Sequence, residues 1–87
     1  VSSWTWEYLD DHYGESLPPA LRTEVERIAA ELAVVNSMIY LDGASYQGMS
    51  PELRAEDRYA ADGSYVMVSY LTDVRGERIL VVTVSVI

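Results

Sequence analysis

The hydrophobic period changes once along this chain of 87 residues, and that change limits the folds open to it. Leu21, Val25, Ile28, Leu32 and Val35 recur in steps of four, three, four and three, with Ala29 on the same side. This is the 3.6-residue period of an amphipathic helix with one buried stripe. After Pro51 the period falls to two. In the last segment Leu80, Val82, Val84 and Val86 share one face while Ile79, Val81, Thr83 and Ser85 share the other, so the aliphatic set is expected to face the helix. Strands are expected over 54–60, 65–72 and 78–87, joined by Ala61-Asp62-Gly63-Ser64 and Val74-Arg75-Gly76.

The N-terminal part supplies the remaining pieces. Trp4, Trp6 and Tyr8 alternate with polar residues, which predicts a strand over 3–8 with its aromatic face packed on the core. Positions 9–16 read as a connector containing one helical turn, interrupted at Gly14. The helix start is expected at Ser16-Leu17-Pro18-Pro19, with Ser16 accepting an orphan N–H and the prolines in the first turn. Its solvent face holds Arg22, Glu24, Glu26, Arg27 and Glu31, with Arg27 and Glu31 at pairing distance. Asn36-Ser37 is expected to end the helix. The apolar run Met38-Ile39-Tyr40-Leu41 suits either a further helical turn or a short extended piece.

The expected architecture is a single α+β domain over 1–87. A small antiparallel sheet, the N-terminal strand plus a C-terminal three-strand meander, packs on one main helix. A chain of this size buries roughly 64% of its unfolded surface, enough for one core.

Composition removes several functions. There is no cysteine and one histidine, His12, so disulfide frameworks, thiolate zinc sites and multi-histidine metal sites are excluded, and no cofactor is expected. Six arginines, no lysine and fourteen carboxylates give a net charge of −8. Affinity for a phosphate backbone comes mainly from cationic side chains, so direct nucleic-acid binding is disfavoured away from the ribosome, and a basic protein partner is favoured. Val1, Ser2, Ser3 and Trp4 lack the basic and apolar regions of a signal peptide, and no apolar run spans a membrane. A cytoplasmic protein is expected, with self-association left open. His12, beside Asp10 and Asp11, reads as solvated, since no nucleophile is placed near it by spacing.

Three short stretches in a fixed order carry a family resemblance: Leu17-Pro18-Pro19-Ala20-Leu21-Arg22, Gly48-Met49, and the hairpin from Gly63 to Val86. Together with the element order they resemble the RelE/ParE family of bacterial type II toxins over nearly the whole chain. The resemblance implies an antiparallel sheet with helices on one face, an antitoxin partner and, in the ribonuclease branch, cleavage of messenger RNA in the ribosomal A site. That chemistry uses basic side chains to hold the scissile phosphate. Of the family's basic set, Arg58 and Arg54 have counterparts here. Val66 or Met67 stands where a further arginine would fall, and the family's C-terminal arginine and tyrosine have none. The candidate catalytic residues are therefore Arg58, Arg54 and Tyr70, with Tyr65 and Met67 as candidate binding residues. Two other readings stand beside the ribonuclease: the same scaffold binding an antitoxin-like peptide without cleavage, and an acidic immunity-type inhibitor of a basic enzyme.

Overall fold

The computed structural model describes residues 3–87; Val1 and Ser2, half of the N-terminal stretch read for a signal peptide, lie outside the described residues. The elements run β1 (Thr5–Tyr8), α1 (Asp11–Ser16), α2 (Pro19–Ile39), a 3-10 turn at Gly43–Ser45, β2 (Glu52–Tyr59), β3 (Tyr65–Asp73) and β4 (Arg78–Val86). Four strands form one sheet in the order β1-β4-β3-β2. The α+β class and the meander are as expected. The sheet, however, is mixed: β1 pairs with β4 in parallel, Thr5 opposite Arg78 and Tyr8 opposite Val81. The cause is the length of α2. Twenty-one residues of helix extend about 31 Å. The chain is thus carried back along the sheet, so that β2, and after two reversals β4, run in the direction of β1.

Positions 9–16 are more helical than expected. Asp10 caps α1 by accepting the His12 N–H at 3.0 Å, and Gly14 lies inside the helix. A Cβ on Gly14 would sit 2.5–2.7 Å from the Tyr8 ring, so the glycine lets α1 press against β1. Ser16 does not cap α2; its hydroxyl donates to the Tyr13 carbonyl at 2.6 Å, and Pro18 occupies the cap position.

Helix α2 continues through Asn36-Ser37. The Asn36 amide donates to the Leu32 carbonyl at 2.8 Å and the Ser37 hydroxyl to the Val34 carbonyl at 2.6 Å. Polar groups that otherwise compete with a helix are here satisfied by the helix itself. Its stripe of Val25, Ile28, Ala29, Leu32 and Ala33 packs with Tyr8, Val66, Val68, Tyr70, Ile79 and Val81, and Trp4 and Trp6 border that cluster as the period-two aromatics predicted. Val35, expected on the stripe, is half exposed.

The faces of β4 differ from the strict alternation. Ser69 pairs with Thr83 while Tyr70 pairs with Val81, which leaves Val82 as an extra residue in a bulge. A bulge inverts the alternation beyond it. Ile79 and Val81 therefore face the helix before it, and Val84 packs on the same core after it. Beyond Tyr8, among the described residues, no strand pairs with β4 on its β1 side. Tyr13 of α1 takes that place: the Val84 N–H donates to its hydroxyl at 2.6 Å, and the hydroxyl lies 3.3 Å from the Val84 carbonyl. Satisfying edge groups from a side chain protects an exposed strand from mispairing.

Both hairpin turns are held by carboxylates. Asp62 accepts the Ser64 N–H and hydroxyl, and Gly63 adopts a φ of +88°. Asp73 accepts from the Ser50 hydroxyl, the Gly76 N–H and Arg78 Nε.

Replacing Gly14 with alanine is expected to cost about 1–2 kcal/mol in urea unfolding, because overpacking against Tyr8 outweighs the gain in helix propensity; an unchanged midpoint would remove the proposed close-contact role. The Arg78 hydrogen bond, followed by those from Ser50 and Gly76, holds the Asp73 carboxyl below its ordinary pKa despite partial burial. A depressed folded-state pKa stabilises above the unfolded value, near 3.9, and that contribution is lost as pH falls through the folded value. Asp73→Asn should therefore flatten the fall of the thermal midpoint between about pH 5 and pH 2, and parallel wild-type and variant curves would contradict this linkage.

Candidate functional site

The β2 strand carries Glu52, Arg54, Glu56 and Arg58 at every second position, and its register opposite Thr72, Tyr70, Val68 and Val66 turns all four toward the helix side of the sheet. Inward-pointing charge on an edge strand discourages pairing with another chain. It also keeps β2 from closing the core, since none of its residues is buried while every second residue from Val66 to Thr72 of β3 is.

Arg54, Arg58 and Tyr70 are brought to this one surface. Arg54 Nε and Nη2 donate to Glu52 Oε2 at 2.9 and 2.6 Å, and Nη2 also donates to the Tyr40 hydroxyl at 3.1 Å. The Tyr40 contact, then Glu52, raises the Arg54 pKa above its already high ordinary value. Arg58 donates to Glu31 of α2 and lies 3.9 Å from Glu56. The Arg58 hydrogen bond holds Glu31 below the usual carboxylate range. Tyr70 is buried opposite Arg54, and burial is the main cause raising its phenol pKa. The phenol is neutral at pH 7, as an unperturbed tyrosine also is.

Tyr65 and Met67 lie on the other face of the sheet. The Tyr65 ring meets Tyr59 edge to face at 5.0 Å, and Met67 stands opposite Asp57. The five sequence-predicted residues thus divide into a helix-side group of three and an outer-face pair. His12 stands on α1 with 92% of its side chain exposed, 3.8 Å from Glu15. Since α1 packs on β1, His12 and β2 belong to opposite edges of the sheet, separated by three strand spacings of about 4.8 Å each.

Sequence reasoning missed Tyr40 as part of this site. Its ring stacks on Trp4 at 6.1 Å and meets Tyr46 edge to face at 5.2 Å while its hydroxyl holds Arg54. It also assigned Glu31 to Arg27 alone. Glu31 bonds Arg27 at 2.9 Å and Arg58 as well, a contact across 27 positions that no local spacing announces.

Pairing extends to every arginine. Arg22 pairs with Glu26 at 2.9 Å, Arg27 with Glu24 and Glu31, and Arg78 with Asp73 and Glu7 at 2.8 and 2.9 Å. Arg75 donates to the carbonyls of Tyr46, Gly48 and Ser50, tying the 46–50 loop to the β3–β4 turn. Each of the six guanidinium groups is occupied by a carboxylate or by backbone oxygen.

A separate groove of about 440 Å³ lies between the start of α2 and the β2–β3 hairpin, with Pro18, Leu21, Ala60, Val66 and Val86 among its lining residues. Its polar lining is Glu24, Asp62 and Ser64, whose hydroxyl is donated to Asp62. Among the described residues no three His, Cys, Asp or Glu side chains are grouped to hold a metal ion, and no helix is long and apolar enough to cross a membrane.

Comparison with protein-family models, curated proteins and solved structures finds no match.

Arg54→Ala removes a charged hydrogen bond from the half-buried Tyr40–Glu52 cluster and should lower stability by about 1 kcal/mol. Arg58→Ala leaves Glu31 its Arg27 partner and should lower stability less. Urea titrations giving the reverse order would contradict the assigned partners.

Proposed function

We infer that this chain is a non-catalytic interaction module that binds a basic protein partner, on a scaffold with the element order of the RelE/ParE toxins. The observation that carries this reading is the occupation of all six arginines. Cleavage of RNA needs cations free to bind the scissile phosphate and to stabilise charge in the transition state. Arg54 and Arg58 instead neutralise Glu52, Glu31 and Glu56, and the neutral Tyr70 phenol is buried behind them. A phosphate approaching either guanidinium would meet the carboxylate already paired with it, on a molecule of net charge −8.

Binding has better material. With the arginines paired, Asp10, Asp11, Asp42 and Asp57 contribute to a surplus of negative charge that attracts a basic surface and speeds its approach. Exposed apolar side chains, among them Met38, Leu41, Met49 and Leu53, offer contact area once the partner arrives. An antitoxin-like segment and a basic enzyme held in check both match that description.

The test is an in vitro translation reaction with programmed ribosomes, together with growth after induced expression. The expected outcome is intact message and unimpaired growth, for the wild type and for Arg58→Ala alike. Cleavage of A-site message by the wild type that disappears in Arg58→Ala would overturn the reading in favour of the ribonuclease.

A further inference from the structure

We propose that the C-terminal half of α2, with Leu41 just beyond it, is a docking face for a basic amphipathic helix. This inference deepens the interaction-module reading and rests on it. Residues 32–41 (Leu-Ala-Val-Val-Asn-Ser-Met-Ile-Tyr-Leu) contain no charged side chain. A helix that is apolar on all sides is ordinarily buried on all sides. Here only the side bearing Leu32, Ala33 and Asn36 is buried. Val34 is 59% exposed, Val35 49%, Met38 70%, Ile39 62% and Leu41 85%. Isolated exposed aliphatics are common, but five within eight positions form a contiguous patch of the kind that marks an interaction site.

The arrangement of these residues selects a helical occupant. Val34 and Met38 form one ridge four residues apart, and Val35 and Ile39 form a second beside it. Two parallel ridges leave between them the groove that accepts the ridge of another helix, in the commonest class of helix packing. A partner helix would place apolar residues at i, i+3 or i+4, and i+7 in contact with this surface.

Charge at the ends of the patch selects a basic one. Asp42 follows it, while Glu31, which precedes it, is taken up by Arg27 and Arg58. The last turn of α2 holds no basic residue, so the negative end of the helix dipole has no cation of its own. The nearby arginines, Arg27, Arg54 and Arg58, are occupied by Glu24, Glu31, Glu52 and Glu56. A partner must therefore bring the cations, beside Asp42 above all, whose carboxylate is otherwise bonded to the Ser45 hydroxyl. A second copy of this chain brings none. It adds a second net charge of −8 instead, which opposes self-association on this face.

The experiment titrates the isotopically labelled full chain with a synthetic helix of about 14 residues carrying leucine at i, i+3, i+4, i+7 and i+11 and arginine on its flanks. A second peptide has glutamate in place of arginine. Saturable binding of the arginine peptide is expected, with amide shift changes confined to residues around 34–42 and affinity at least about tenfold above that of the glutamate peptide at low salt. Val34→Glu combined with Met38→Glu should abolish it. Met38→Gln, with a gentler effect on the helix, repeats the test should the double variant lower the unfolding temperature. Equal binding of the two peptides, or shifts centred elsewhere, would overturn the proposal. So would a dimer in sedimentation that Met38→Gln dissociates, or partitioning of the protein onto zwitterionic lipid vesicles through this face. RNA cleavage in the ribosome assay would defeat the non-catalytic reading and leave a positive peptide result standing. Failure to bind the peptide would remove this docking face and leave the non-catalytic reading, which rests on the paired arginines, in place.

Discussion

Helix α2 seats its apolar stripe mainly on the β1–β4 side of the sheet, and the rest of the molecule follows from that off-centre placement. Val25, Ile28 and Ala29 are fully buried against Ile79, Val81 and, further across, Val66 and Val68 of β3. The helix reaches β2 through the Arg58–Glu31 ion pair. A strand lying beyond the reach of the core can carry charge on its inner face without a large desolvation cost, provided each charge has a partner. Glu52, Arg54, Glu56 and Arg58 meet that condition by pairing with one another, with Glu31 and with Tyr40. The same placement leaves the distal turns of α2 without cover, and the uncharged sequence there stays in contact with solvent.

Position and chemistry are therefore separable in this fold. An acidic chain with six arginines could have gathered them into one cationic patch, and the β2 register does bring Arg54 and Arg58 to a common surface beside Tyr70. What lowers the positive potential of that surface is the company each guanidinium keeps. A surface ion pair contributes little to stability, yet it lowers the local potential that an incoming anion would feel. The arginines act as cross-links between elements: Arg58 joins β2 to α2, Arg78 joins β4 to β1, and Arg75 ties the 46–50 loop to the β3–β4 turn.

Much of this architecture was legible in the residue pattern. The aromatic face of β1, the helical stripe and the two hairpin turns all follow from local period and turn chemistry, which depend on neighbours a few positions apart. The departures come from particular side-chain contacts that period and turn chemistry do not encode. Gly14 reads as a helix interruption until the Tyr8 ring is seen pressed against it. Asn36-Ser37 reads as a helix end until their side chains are seen bonded to the preceding turn. The face of Val84 is reversed by one extra residue at Val82, which alternation alone does not reveal. At the candidate site, the residue types Arg54, Arg58 and Tyr70 could be selected from sequence, but the acceptors Glu31 and Tyr40 are 27 and 14 positions away from Arg58 and Arg54.

By itself, then, the sequence determined the α+β class, the net negative charge and the lack of cysteine and of a second histidine, because composition and period are properties of the chain and survive any arrangement of its elements. Only the tertiary structure decided the parallel pairing of β1, the pairing of the arginines and the exposure of the end of α2. Each of those depends on where a long helix lands on a four-stranded sheet, and that position is set by the sum of side-chain contacts across the core rather than by any local run of residues.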